Sequence, residues 1–455
     1  MLDRLDDAVP DDLLQTLAEL IRAGRDEDLM RINPVRFAEE HDFEAAAVVS
    51  LFLRARKLGL LTMEWQVVCP SCGEIVERLA SLTSANAHVF CRTCSADKDT
   101  DLSHFVEIGF SVSPEIRRSR CHDAWTLTPE EHFLSYRFTQ SGVVEDGTPL
   151  RDHLRRCLAA SAYVDAGATE TFMLTARPGF LWFTSGPALI VGDELTAETR
   201  IFDFEYTGPR GEGLRAEIAA GPVEISFTNA TDERYAMLIA ALPDHYHLAM
   251  GPFLSGAEVL SNQTFLDLFA EETIVAPEGL AVRRLGLLFT DLTGSTALYE
   301  RVGDMRAFDL VRQHFGLLRA CIDRNSGALV KTIGDAVMAS FVDPVDALRA
   351  ALEMRREVAR FNAEAGDDLI GLKIGLHAGA CLAVTLNDRL DYFGQTVNVA
   401  ARVQGLAGAN EIVATDDVLS LPGVAETLAG LKTEADAVQL KGIAGDVRVH
   451  RIHAA

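Results

Sequence analysis

Residues 285–296 read LGLLFTDLTGST, and two later stretches, ALVKTIGDAVMASF (328–341) and LDYFGQTVNVAARVQ (390–404), complete the pattern that decides the C-terminal fold. LGLLF (285–289) is a continuous apolar run, as expected of a strand buried on both faces. Asp291 follows at its end. Thr293, Gly294, Ser295 and Thr296 then open a helix predicted through TALYERVGDMRAFDLVRQHFGLLRACIDR (296–324). A carboxylate beside a glycine-containing turn at a helix N-terminus suits a metal–triphosphate complex. The carboxylate takes the metal, and free backbone N–H groups meet phosphate oxygens. Taken alone, Asp291 reads equally as a cap of that turn.

The second stretch predicts two strands around a tight Gly334-Asp335 turn. A hairpin tip can swing toward the end of a neighbouring strand, which brings Asp335 to Asp291 and gives two carboxylates for Mg2+ or Mn2+. Lys331 lies inside an otherwise apolar strand, a position lysine takes when paired or functional. The third stretch supplies Asp391, a turn at Gly394, and a helix with Asn398 and Arg402 four residues apart, hence on one face. The planar guanidinium fork of arginine suits phosphate. Val397, Ala400, Ala401 and Val403 make much of that helix apolar, which disfavours a merely solvated Arg402.

Working outward, strands alternate with long helices from 285 to 455, so an α+β or α/β domain is expected there. Residues 251–284 form a connector with a short amphipathic helix in SNQTFLDLFAEETI, its apolar face formed by Phe265, Leu268 and Phe269, and a break at PEG (277–279). Residues 99–250 are rich in alternating or β-branched runs such as HFVEIGFSV, ETFMLTA and PVEISFTNA, which predicts a β-rich sandwich or small barrel. Residues 67–98 hold CPSC and CRTC. Cys69, Cys72, Cys91 and Cys94, with 18 residues between the knuckles, have the spacing of a four-cysteine zinc ribbon. With sulfur at every position such a site is structural. Residues 1–66 predict three short helices and a strand, LLTMEWQVV, in a winged-helix-like order.

The whole chain has 455 residues, eight cysteines and a net charge of −25, from 42 basic and 67 acidic residues. That charge opposes binding to nucleic acid or an anionic membrane. No apolar run reaches the roughly 18–20 residues that cross a bilayer. The acidic start, MLDRLDDAVPDDLL, lacks the features of a signal peptide. A soluble, cytoplasmic protein is expected, in which paired knuckles hold metal rather than disulfides. A winged helix beside a zinc ribbon also suggests DNA binding, but the only local basic cluster is Arg54, Arg56 and Lys57.

FTDLTGST, VKTIGDAVMASF and DYFGQTVNVAAR resemble the core motifs of class III nucleotidyl cyclases, over about 285–455. The resemblance implies a ferredoxin-like catalytic domain and formation of 3′,5′-cyclic AMP and pyrophosphate from ATP. It implies that Asp291 and Asp335 hold two metal ions, that Lys331 and Asp391 select adenine, that Asn398 orients the ribose and that Arg402 stabilises the transition state. Guanylyl cyclases usually carry Glu and Cys, or similar residues, at the Lys/Asp positions. It further implies a homodimer with sites at the interface, Asp291 and Asp335 from one subunit and the other four residues from its partner. Lys441 in QLKGIAG is implied at the terminal phosphates, beside the alternative of a solvated hairpin lysine. His377 in GLHAG reads as a packed strand residue. The upstream half resembles an uncharacterised region found before some bacterial cyclases and is expected to regulate the cyclase, in response to an unknown ligand or protein, through 251–284. A silent nucleotide-binding regulator is the competing reading, although none of the six motif residues is lost.

Overall fold

The computed structural model describes residues 9–94, 96–184, 188–208, 215–242, 247–270, 274–276, 278–365 and 370–453, except the side chains at 215, 295–298 and 365. The chain forms two compact units. The first runs to Leu254; the second starts at Ser255 and also takes in Ser81–Ala87 and Asp101–Ser103.

In the first unit, helix Asp11–Ala23 buries Leu13, Leu14, Leu17, Ala18 and Ile21. Helix Pro34–His41 starts as its sequence predicts, with Asn33 accepting from the N–H groups of Val35 and Arg36 and Pro34 in the first turn. Helix Ala45–Lys57 follows. Strand Leu61–Val68 then forms the centre of a three-stranded antiparallel sheet between Ile75–Leu79 and Val106–Val112. This corrects the sequence reading, which assigned HFVEIGFSV to the β-rich region. All seven residues of Val106–Val112 are buried, and Phe110 meets the Phe52 ring at 5.3 Å. Pairing with a strand some forty residues earlier is a tertiary fact that local pattern does not encode.

The remainder of this unit is a seven-stranded sheet in which the strand Arg215–Asn229 holds neighbours together. Its first part pairs in parallel with Ala188–Leu195, and its second part lies between Thr169–Ala176 and Arg200–Tyr206. Phe183, Val223, Ile225, Phe227 and Ile239 form its core. Two helices, Pro129–Tyr136 and Leu150–Cys157, interrupt the expected run of strands. The first has a capping box, Thr128 with Glu131, that was present in the sequence.

The second unit begins its sheet with strand Leu280–Thr293, continues through helix Asp304–Arg324, strands Gly327–Ile333 and Ala336–Phe341 and helix Pro344–Ala365, and returns with strand Gly371–Leu386. This is a β-α-β-β-α-β unit, the ferredoxin-like arrangement. In the sheet, 327–333 is the edge, followed by 336–341, 280–293, 371–386, 411–415, 446–452 and 433–439. The helix expected over 296–324 is two helices, Ser295–Val302 and Asp304–Arg324, because Gly303 between them has φ +79°. Ile412 and Ala414 belong to the core that includes Leu318 and Leu348, whereas Val413 packs with Val399 and Val403. Alternate strand residues face opposite sides, so helix Gln395–Gln404 covers the face opposite the two long helices. Among the described residues, no helix is long and apolar enough to cross a membrane.

Candidate functional site

Strand register brings Asp291 and Asp335 together. Thr290 pairs with Val337 across the antiparallel ladder, so the Gly334-Asp335 turn sits one step further on, beside Asp291. Burial raises the pKa of the Asp291 carboxyl, and the charge of Asp335 raises it again, against the opposing charge of Lys373. Two carboxylates that repel one another across a short gap are a set of hard oxygen donors that a divalent cation would neutralise. The residues therefore fit Mg2+ or Mn2+. Thr293 is exposed, and Gly294, at φ +71°, leads into helix Ser295–Val302. The side chains of Ser295 and Thr296 lie outside the described residues.

Gln404 and Lys373 were not identified from sequence. Lys373 lies directly across the ladder from Asp291, a relation that only register reveals. Gln404 lies against the sheet because helix Gln395–Gln404 approaches it closely. A Cβ on Gly375 would lie 2.2 Å from the Gln404 backbone nitrogen, so only glycine admits the helix there.

Lys331 and Asp391 form an ion pair, Nζ to Oδ2 at 2.5 Å. Lys331 follows a β-bulge: Leu329 pairs with Ala339 and Lys331 with Met338, leaving Val330 as the extra residue. A bulge re-aims the side chain beyond it. Asp391, on strand Arg389–Phe393, is buried, and its Oδ1 accepts the Tyr392 N–H at 2.8 Å.

Asn398 is exposed on helix Gln395–Gln404, and Arg402 lies half-buried one turn later. Arg402 Nη1 is buried with no hydrogen-bond partner among the described residues. A buried guanidinium N–H without an acceptor is costly in isolation and favourable once an anion arrives. Its neighbour is the loop after strand Thr433–Gln439: a Cβ on Gly442 would sit 3.4 Å from Nη2 of Arg402, and Lys441 beside it is exposed. His377 is buried, with Nδ1 2.8 Å from Thr415 Oγ1. Among the described residues, no hydrogen bond or ion pair links Asp291 or Asp335 to Lys331, Asp391 or Arg402.

In the first unit, Cys69, Cys72, Cys91 and Cys94 converge with all four sulfurs within 4.8 Å of one another. Cys69–Cys94 is 3.8 Å and Cys72–Cys91 is 3.6 Å. A tetrahedron with zinc–sulfur bonds of about 2.3 Å has edges of about 3.8 Å, so the donor set fits zinc; these separations are far beyond the roughly 2.05 Å of a disulfide. Hydrogen bonds from the other three thiols push Cys69 down, the direction of a thiolate. Buried Glu74 fixes this knuckle. Its Oε2 accepts the Thr93 N–H at 2.9 Å and lies 3.4 Å from Cys91 Sγ, and its other oxygen binds Arg137.

Residues 281–454 match the adenylate and guanylate cyclase catalytic domain, so the second unit is a class III nucleotidyl cyclase domain. The chain belongs to a family of unknown function (DUF5939), whose match covers residues 1–267. It is 29% identical over 206 residues to an adenylate cyclase of Anabaena cylindrica, covering 40% of this chain and 41% of that protein. It is 32% identical over 171 residues to a pH-sensitive adenylate cyclase of Mycobacterium tuberculosis, covering 37% of this chain and 41% of that protein. The chain thus spans about two fifths of the length of these two relatives. The crystal structure of the adenylyl cyclase CyaB from P. aeruginosa aligns with 38% of this chain and 95% of its own, at 22% identity and a TM-score of 0.34.

Proposed function

We propose that this protein is an adenylate cyclase that converts ATP to 3′,5′-cyclic AMP and pyrophosphate at sites shared between two copies of the chain. The observation that carries this reading is the pairing of Lys331 with Asp391 behind a bulge, in the same domain as the Asp291–Asp335 pair and an Arg402 whose Nη1 has no partner among the described residues. Lys331 donates to the adenine ring and Asp391 accepts from its exocyclic amine. Asn398 holds the ribose. The 3′-oxygen forms a bond to the α-phosphorus as the bond to the pyrophosphate oxygen breaks, and the hydroxyl proton leaves to solvent. Arg402 takes up the charge that grows on the α-phosphoryl group. Asp291 and Asp335 are the residues that would hold Mg2+ or Mn2+, which supply neutralisation of the triphosphate and a lower pKa for the attacking hydroxyl. Thr293, Gly294, Ser295, Thr296 and Lys441 are assigned to the phosphates.

Lys331 and Asp335 are four residues apart on one hairpin, yet they serve opposite ends of ATP. Two copies resolve this: Asp291 and Asp335 come from one, and Lys331, Asp391, Asn398 and Arg402 from the other. Exposed Ile333 and Phe393, at 54% and 62%, flank these residues and give a second copy apolar surface to cover. The first unit is read as a regulatory module, built on a zinc knuckle and a winged-helix-like start, that acts through the connector.

Incubating the purified protein with ATP or GTP and Mn2+, then separating products by chromatography, tests this directly. Cyclic AMP is expected from ATP, with little product from GTP. Linear AMP or ADP overturns the reading.

A further inference from the structure

The connector docks on both strands that carry the Lys331–Asp391 pair. Strand Gly327–Ile333 is the edge of its sheet, paired on one side only, with Ala336–Phe341. On its open side Gln263, in helix Gln263–Leu268, accepts the Leu329 N–H on Oε1 at 2.8 Å. Gln263 is itself held, its Nε2 donating to Asp267 at 2.9 Å while Asp267 pairs with Arg319. Leu329 is the last regular residue before the bulge and Lys331 is the first after it. A bond at Leu329 therefore fixes where the irregularity begins, and with it the direction in which Lys331 leaves the strand.

The second contact acts on the partner carboxylate. Ser261 is 2% exposed, and its Oγ lies 3.3 Å from Tyr392 Oη and 3.3 Å from Ser340 Oγ. Tyr392 is buried and directly follows Asp391. A cavity of 360 Å³, lined by Gln263, Phe269, Lys331 and Arg389 among others, lies between the connector helix and the bulged strand. Hydrogen bonds give the contact its direction.

We propose that Gln263 and Ser261 are positioning residues for nucleobase recognition, holding the bulged strand and the Asp391 strand so that Lys331 and Asp391 meet at the separation adenine requires. The connector is then part of the specificity machinery. This rests on the reading of Lys331 and Asp391 as the base-selecting pair.

The test is steady-state kinetics of the full chain with ATP and with GTP, for wild type, Gln263→Met, Ser261→Ala, Lys331→Ala and Asp391→Ala. Gln263→Met removes one hydrogen bond to a strand N–H and is expected to lower the ATP-over-GTP ratio of kcat/KM by about tenfold. The change should fall on KM for ATP, with kcat altered about twofold or less. Ser261→Ala should lower the ratio by about threefold, and it carries the test if Gln263→Met does not fold. Gln263→Glu combined with Asp267→Asn keeps an acceptor for Leu329 and should restore the ratio. If Lys331→Ala and Asp391→Ala collapse the ratio while Gln263→Met and Ser261→Ala leave it unchanged, or lower kcat equally for both nucleotides, the positioning role is wrong and the base-reading pair stands. If Lys331→Ala and Asp391→Ala leave the ratio unchanged, or wild type forms no cyclic nucleotide, the underlying reading fails and this inference falls with it.

Discussion

In the first unit four sulfurs converge at separations close to those of a tetrahedral zinc site. In the second, two carboxylates lie half-buried at a strand end and a hairpin tip, and one raises the pKa of the other. The first group is closed on itself, with sulfur at every vertex and Glu74 fixing the knuckle. The second is open, a pair of hard oxygen donors that a divalent cation would neutralise. On the proposed reading, the contrast separates a metal that holds a fold from a metal that works with substrate. On that reading, the first group is complete within one chain, while the second is completed by residues of another copy.

The sharpest way to break this comparison is subunit complementation. Asp335→Ala and Arg402→Ala proteins should each lose at least about 10²–10³-fold in turnover. Mixed in equal amounts, they should recover about one quarter of wild-type activity, because half the dimers are mixed and each mixed dimer has one complete site. No recovery, with dimer formation shown by light scattering, removes the shared-site arrangement. Next in size is the loss of the sulfur centre. Cys91→Ser should reduce bound zinc, measured by a colorimetric chelator, from one per chain to none, and should lower the thermal midpoint of the first unit. A Cys91→Ser protein that retains zinc and wild-type stability would make the centre something other than a structural metal site.

The smallest expected effect concerns His314, which is buried in helix Asp304–Arg324 with neither ring nitrogen partnered among the described residues. Burial holds its pKa at about 4, below the ordinary 6.5, against the opposing charge of Asp335. Between these values the unfolded chain binds a proton that the folded chain refuses. Stability from this group is therefore complete above pH 6.5 and falls as the pH drops toward about 4. Urea midpoints at pH 7 and pH 5 should differ less in His314→Leu than in wild type; an unchanged difference would assign the acid sensitivity elsewhere.

Much of the catalytic region was legible because its signals are local. The Gly334-Asp335 hairpin and the Asp391–Gly394–helix sequence each fall within a short window and form as the sequence predicts, and in the first unit the four cysteines converge. Gln404, Lys373 and the Gln263 contact were not legible. Each depends on register or docking between segments distant in sequence, and glutamine and lysine carry no motif of their own. The helix break at Gly303 was written in the sequence as Val302-Gly303-Asp304, but the apolar pattern on either side obscured it. The misplacement of Val106–Val112 has the same origin: a buried strand looks alike in either sheet until its partner is known.

The position of Gly442 has a consequence for how this chain can vary. The last hairpin offers the guanidinium of Arg402 an absence of atoms rather than a bond. Gly442 is exposed at φ +74°, a left-handed backbone that costs any residue with a side chain about 1–2 kcal/mol. A Cβ there would meet Arg402 only at ordinary contact distance, so a substitution would act through the backbone of the loop and not by crowding the guanidinium. The loop beside Arg402 is thus a place where backbone conformation, and not side-chain chemistry, decides which residue can stand.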